Sequence, residues 1–177
     1  MKSKDADLSP NPYRPLGRGM GLVASLLVLG LFYFYFETSL QARDYPNQQL
    51  QIAPGSELVL KRSRSGHYFF PGTINGQPVS FLLDTGATLV SVPAHLAEEL
   101  KLKAGAQQKA ITANGTVTTR ATRLGTLGFG PFELRDVPAS LNPGMGGDYV
   151  LLGMSVLKHL EFTQRGDTLI LRTWEAN

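Results

Sequence analysis

Between residues 56 and 173 short apolar runs alternate with turn residues, a pattern that predicts strands and tight turns rather than a helical bundle. "SELVLKR" and "GHYFFPGTI" read as strands, and "NGQP" at residues 75–78 places an Asn-Gly hairpin turn ahead of "VSFLLD". The sheet resumes with "TLVSVP". Pro93 then opens "PAHLAEELKL", a short helix with Leu96 and Leu100 on one face. A second hairpin, "AITANGTVTTR", turns at Asn114-Gly115, with Ile111, Ala113 and Val117 alternating as in an exposed ribbon. "ATRLGTLGF" and "FELRDVPASL" meet at Gly130-Pro131, "LNPGMGGD" is a loop, "YVLLG" a buried strand and "MSVLKHL" a short helix. "EFTQRGDTLILRTW" closes the chain as a hairpin whose Arg-Gly-Asp is a turn. The fold class expected is all-β, a small closed barrel-like domain over residues 56–177 with one or two short helices.

Upstream the period changes. Residues 19–36, "GMGLVASLLVLGLFYFYF", are eighteen positions without a charge, which as a helix span roughly 27 Å, enough to cross a bilayer. A cleaved signal peptide is the competing reading, but its apolar stretch is shorter and ends at small residues, whereas Leu40 stands two places before Ala42. The chain therefore divides into a tail over 1–18, a transmembrane helix over 19–36, a stalk over 37–55 and the β domain. Lys2, Lys4, Arg14 and Arg18 precede the span and Arg43 alone follows within 20 residues, which places the tail in the cytoplasm and the body outside it.

The net charge of +3 comes mostly from that tail: residues 37–177 hold 13 basic and 12 acidic side chains. No block of like charge marks the body, so a nucleic-acid partner is not expected. The chain has no cysteine, which removes thiolate chemistry and Cys-based zinc sites. His67, His95 and His159 lack metal-ligand spacing, Ser155 lacks the second Gly of a nucleophile elbow, and no metal or cofactor is expected. "KRSRS" at 61–65 reads as a solvated strand end, with contact to anionic lipid as the alternative.

The chemistry concentrates at "FLLDTGA", residues 81–87, where Asp84 follows three large apolar residues and precedes Thr85, Gly86 and Ala87. A carboxylate at the end of a buried strand is costly unless it is used. The local alternative is that Asp84 caps a turn or the next helix. Apolar-apolar-Asp-Thr-Gly-Ala resembles the active-site loop of retroviral-type (retropepsin-like) aspartic proteases, and the order of parts that follows is similar: a hairpin in the place of the flap at 109–119, then "VLLGMSVLKHL" at 150–160. With the N-terminal span, the chain looks most like a bacterial membrane-anchored branch of that family.

The resemblance implies an aspartic endopeptidase with Asp84 catalytic, Thr85, Gly86 and Ala87 supporting it, Thr112, Ala113, Asn114 and Gly115 closing over a peptide or protein substrate, and Gly153 supporting the motif. It also implies the inner membrane as location, with the protease domain periplasmic. Two carboxyls are needed to share the acid and base roles, and no second Asp-Thr-Gly or Asp-Ser-Gly occurs. Asp136 in "LRDVP" and Asp148 in "GGDYV" lack the following Thr-Gly. Asp84 must then meet Asp84 of another copy in a twofold homodimer. Met154 and Ser155 stand where retroviral members commonly carry an Arg after the Gly, so those dimer contacts do not carry over. The alternative function is a non-cleaving peptide-binding or dimerisation module of the same fold; a structural envelope domain with Asp84 as a turn residue is the third reading.

Overall fold

The computed structural model describes residues 14–54, 57–112 and 115–173, and the chain divides into two compact units after Gln41. The first unit is the body of one helix, α1 (Arg14–Asp44). Its described apolar side chains from Val23 to Phe36 stand exposed, Leu31 by 71% and Phe34 by 67%. Among the described residues no helix is long and apolar enough to cross a membrane, so the span expected over 19–36 is not established by the fold.

The second unit is mostly β, in agreement with the alternating pattern. A four-stranded antiparallel sheet is ordered β1 (Gln51–Ala53), β2 (Glu57–Lys61), β11 (Thr168–Thr173), β10 (Leu160–Arg165). The larger sheet has seven strands: β3 (Phe69–Ile74), β4 (Gln77–Leu83), β9 (Tyr149–Leu152), β5 (Val90–Pro93), β8 (Phe132–Asn142), β7 (Gly115–Phe129) and β6 (Gln107–Thr112), in that spatial order. A further pairing of β3 with β7, through Thr73↔Gly128 and Ile74↔Leu127, turns this sheet back on itself. The all-β class expected from the sequence is thus met in this unit by two sheets and, among its described residues, two short helical turns. The segment expected as a stalk contributes the end of α1 and strand β1, whose Ile52 pairs with Leu58.

Local chemistry explains the turns. Asn75 and Gly76 take φ of 51° and 78°, the left-handed pair that joins twisted strands in two residues. The Asn75 side chain does more: its Nδ2 donates to the Leu100 carbonyl at 2.9 Å and its Oδ1 accepts the Thr126 amide at 3.0 Å. The expected helix at 93–102 reduces to one 3₁₀ turn, Ala94–Leu96. Lys101 has φ of 55°, which a continuing right-handed helix forbids. The expected break between the second hairpin and "ATRLGTLGF" is absent, because β7 runs fifteen residues and pairs first with β6 and then with β8. The helix after Gly153, α2, is the four residues Met154–Leu157.

Phe70, Phe81, Phe129 and Phe132 form the aromatic centre of the core, with ring centroids 5.2–6.0 Å apart. All four are at most 6% exposed, and each such ring contributes on the order of 2 kcal/mol or more by leaving water. Phe81 anchors β4 three residues before Asp84, so the core fixes where the strand ends.

Candidate active site

Asp84 leaves the sheet at the end of β4. This strand runs parallel to β9 with Phe81 beside Val150 and Leu83 beside Leu152, and the Asp84 amide adds one more bond, donating to the Leu152 carbonyl at 3.1 Å. The chain then turns. The Ala87 amide donates to the Asp84 carbonyl at 3.3 Å, and the Gly86 amide donates to the Asp84 Oδ1 at 2.9 Å. A carboxylate oxygen that accepts a backbone N–H is oriented by it. The Asp84 side chain is half-buried, while Thr85 and Gly86 are exposed. The Thr85 hydroxyl has no hydrogen-bond partner among the described residues.

The loop returns through Leu89 to β5, which pairs with the other side of β9 at Ser91↔Leu151. Strand β9 is therefore flanked by the two strands that the Asp84 loop connects, and Gly153 emerges beneath that loop. A Cβ on Gly153 would stand 2.3 Å from the Leu89 carbonyl oxygen and 2.6 Å from that of Ala87, so only glycine permits this approach. The first turn of α2 then holds the loop: the Met154 amide donates to the Ala87 carbonyl at 2.8 Å and the Ser155 amide to the Thr88 carbonyl at 2.9 Å. The Ser155 hydroxyl oxygen accepts the Val90 amide at 3.1 Å in a buried bond.

Asp84, Thr85, Gly86, Ala87 and Gly153 are thus brought together in one hydrogen-bonded unit. The hairpin residues are placed on β6 and β7, where Thr112 pairs with Gly115, φ 108°. Ala113 and Asn114, expected at its tip, lie outside the described residues. Ile111 on the same ribbon is 91% exposed. The other two carboxylates weighed from the sequence are engaged elsewhere. The Asp148 Oδ1 lies 3.0 Å from the His95 Nε2, and Asp136 pairs with Arg123, whose hydrogen bond and charge hold its carboxyl below the ordinary range. Ser155 and Met154 were not expected to touch the loop. The one signal in the sequence is a small polar residue inside an otherwise apolar helix.

Residues 70–159 match the family described as "gag-polyprotein putative aspartyl protease". That is half of the chain, and the protein belongs to this retropepsin-like aspartic protease family. Its sequence is 33% identical over 120 residues to an uncharacterized protein in the cobV 5′ region of Sinorhizobium sp, an alignment covering 66% of this chain and 52% of that one. It is 30% identical over 122 residues to an uncharacterized protein of Rickettsia prowazekii, covering 65% and 51% respectively. The chain spans about half the length of these curated relatives. Among solved structures it is similar to a retropepsin-like aspartic protease from Rickettsia conorii, with a TM-score of 0.55 and 30% identity over 65% of this chain and 89% of that one.

Proposed function

We propose that the protein is a membrane-tethered aspartic endopeptidase whose working unit is a homodimer. The observation that carries this reading is the Asp84 loop itself: a half-buried carboxylate, oriented by the Gly86 amide, on a turn held from below by residues 153–155. One chain supplies one such carboxylate, and Asp136 and Asp148 are committed to Arg123 and His95. A twofold axis beside the exposed Thr85 supplies the second, and leaves each Thr85 hydroxyl free to bond across to the other loop.

Two carboxylates about 3 Å apart repel by roughly 5 kcal/mol at an effective dielectric near 20, so the pair holds one proton. The ionised Asp84 takes a proton from water as its oxygen attacks the peptide carbonyl carbon, and the protonated Asp84 gives its proton to the carbonyl oxygen. The Asp84 that took the water proton then gives it to the amide nitrogen, the other Asp84 takes a proton from a diol hydroxyl as the C–N bond breaks to leave a carboxylic acid and an amine, and the pair again holds one proton. An extended peptide pairs with the exposed ribbon of β6 and β7 through its backbone.

The tether is residues 19–36. Its support is the uncharged run of the sequence, the four basic residues before it, and the exposed apolar surface of α1, which needs cover. The β domain then faces the periplasm from the bacterial inner membrane.

The deciding experiment compares Asp84→Asn with the parent, as full chains in detergent, on a peptide library. Cleavage falls by at least about 10³-fold if Asp84 is catalytic; equal cleavage ends the reading. Peptide binding by the parent without any cleavage assigns the chain instead to a non-cleaving module of the same fold.

A further inference from the structure

A second site lies away from the Asp84 loop, in an open cleft of about 1090 Å³ lined by Arg43, Lys61, Arg62, Arg64 and Asp167 with the small residues of the turn at 63–66. Arg62 pairs with Asp167. Arg43, Lys61 and Arg64 are exposed and have no acidic partner among the described residues. Residues 37–177 carry 13 basic and 12 acidic side chains, so a cleft with four cations and one carboxylate is a local concentration and not a sample of the whole surface.

The cations come from two segments, the end of α1 and residues 61–64, and the backbone fixes both. The Arg64 amide donates to the Arg43 carbonyl at 3.2 Å, which joins the end of α1 to the turn after β2. Lys61 is clamped by the buried side chain of Asn47, whose Oδ1 accepts the Lys61 amide at 2.6 Å and whose Nδ2 donates to the Lys61 carbonyl at 2.8 Å. The turn itself is closed by the Ser63 amide donating to the His67 carbonyl at 2.8 Å and the Gly66 amide to the Ser63 carbonyl at 3.0 Å. Gathering like charges on a fixed frame is unfavourable unless an anion joins them.

We propose that this cleft binds a phosphate group, supplied by an anionic lipid headgroup or by free phosphate. Two guanidinium forks and an ammonium suit a tetrahedral oxyanion, because Arg meets phosphate with paired N–H bonds. The lipid source follows from position. Arg43 is seven residues past Phe36, which along a helix is roughly 10 Å, a side chain's reach from the roughly 5–8 Å headgroup layer beyond the hydrocarbon. That step rests on the proposed tether; the phosphate site does not. A bound headgroup would fix the domain at the membrane surface.

The test uses the purified full chain in detergent, with Lys61→Gln/Arg64→Gln and the charge-reversed Lys61→Glu/Arg64→Glu. Native mass spectrometry compares retention of phosphatidylglycerol with phosphatidylcholine, and calorimetry titrates inorganic phosphate at constant ionic strength. The double Gln variant loses about 30-fold in anionic-lipid retention, and the Glu variant more. Phosphatidylglycerol preference lost in the variants supports the lipid source, and phosphate binding without lipid preference supports the free anion. A parent that binds neither, or variants that melt and bind like the parent, overturn the proposal. Asp84→Asn keeps both signals. A chain that stays monodisperse without detergent removes the tether and leaves the phosphate titration decisive.

Discussion

The Ser155 hydroxyl oxygen accepts the Val90 amide at 3.1 Å, in a buried bond that ties the helix after Gly153 to the strand that follows the Asp84 loop. The two residues are 65 apart in sequence. Ser155→Ala leaves the Val90 N–H buried without an acceptor, and such a group costs about 1–3 kcal/mol. The urea midpoint falls accordingly with an unchanged slope, and peptide cleavage falls because the return limb of the loop loses its anchor. A midpoint equal to the parent's means that another acceptor reaches Val90.

Gly153→Ala tests the same junction by overfilling it. The new methyl would stand 2.3 Å and 2.6 Å from two backbone oxygens, which cannot swing aside as a side chain end does. Either the Asp84 loop or α2 shifts, at a cost of about 3 kcal/mol. Cleavage should fall further than stability alone explains, since Ala87, whose carbonyl receives the Met154 amide, is three residues from Asp84. Retained activity in the folded variant would show that the loop tolerates displacement.

These two junctions mark the boundary of what the chain discloses by itself. The end of β4 was legible because Phe81, Leu82 and Leu83 form an apolar run and Asp-Thr-Gly follows it, all within seven residues. Asn75-Gly76 was legible because the turn's dihedral angles select those residue types. The length of β7 was not: a break was expected after Arg120, between the hairpin and "ATRLGTLGF", yet the strand continues because Arg120 pairs with β6 on one side and β8 takes over from Arg120 and Ala121 onward. Leu96 and Leu100 repeat at helical spacing and the Leu100 amide does donate to the Leu96 carbonyl, but Lys101 turns to a φ of 55° and no helix runs to Leu102. Ser155 was weighed as a nucleophile and as the place of a missing dimer contact, not as an anchor of the loop. Its partner lies on another strand, and a local pattern carries no information about that pairing.

Arg123 and Asp136 give a pH dependence with a defined sign. The hydrogen bond from Arg123 is the main cause of the lowered Asp136 pKa, with its charge adding to it and partial desolvation opposing. The carboxyl is ionised in the folded chain at pH values where the unfolded one, near 3.9, has begun to take a proton. The stability it contributes is therefore present above about pH 4 and is lost as pH falls through the lower folded value. Both side chains are well exposed, so the contribution is small and screened by salt. Asp136→Asn removes this part of the acid sensitivity and lowers the urea midpoint at neutral pH more than at acid pH. An equal shift at every pH means that the pair does not govern the titration.

The proposed homodimer makes a prediction that a one-chain site does not. If each working unit takes one Asp84 from each copy, then chains carrying Asp84→Asn poison the parent's. Adding an equal amount of this variant to a fixed amount of parent, and allowing subunits to exchange, redistributes parent chains so that only about a quarter of all dimers carry two carboxylates. Cleavage then settles at about half its starting value, although no parent was removed. A self-sufficient chain keeps its full rate at every ratio. The experiment also separates pairing from tethering: in detergent both copies mix freely, whereas in separately prepared vesicles a parent held by the proposed tether is out of reach of the variant and keeps its rate until the membranes are dissolved.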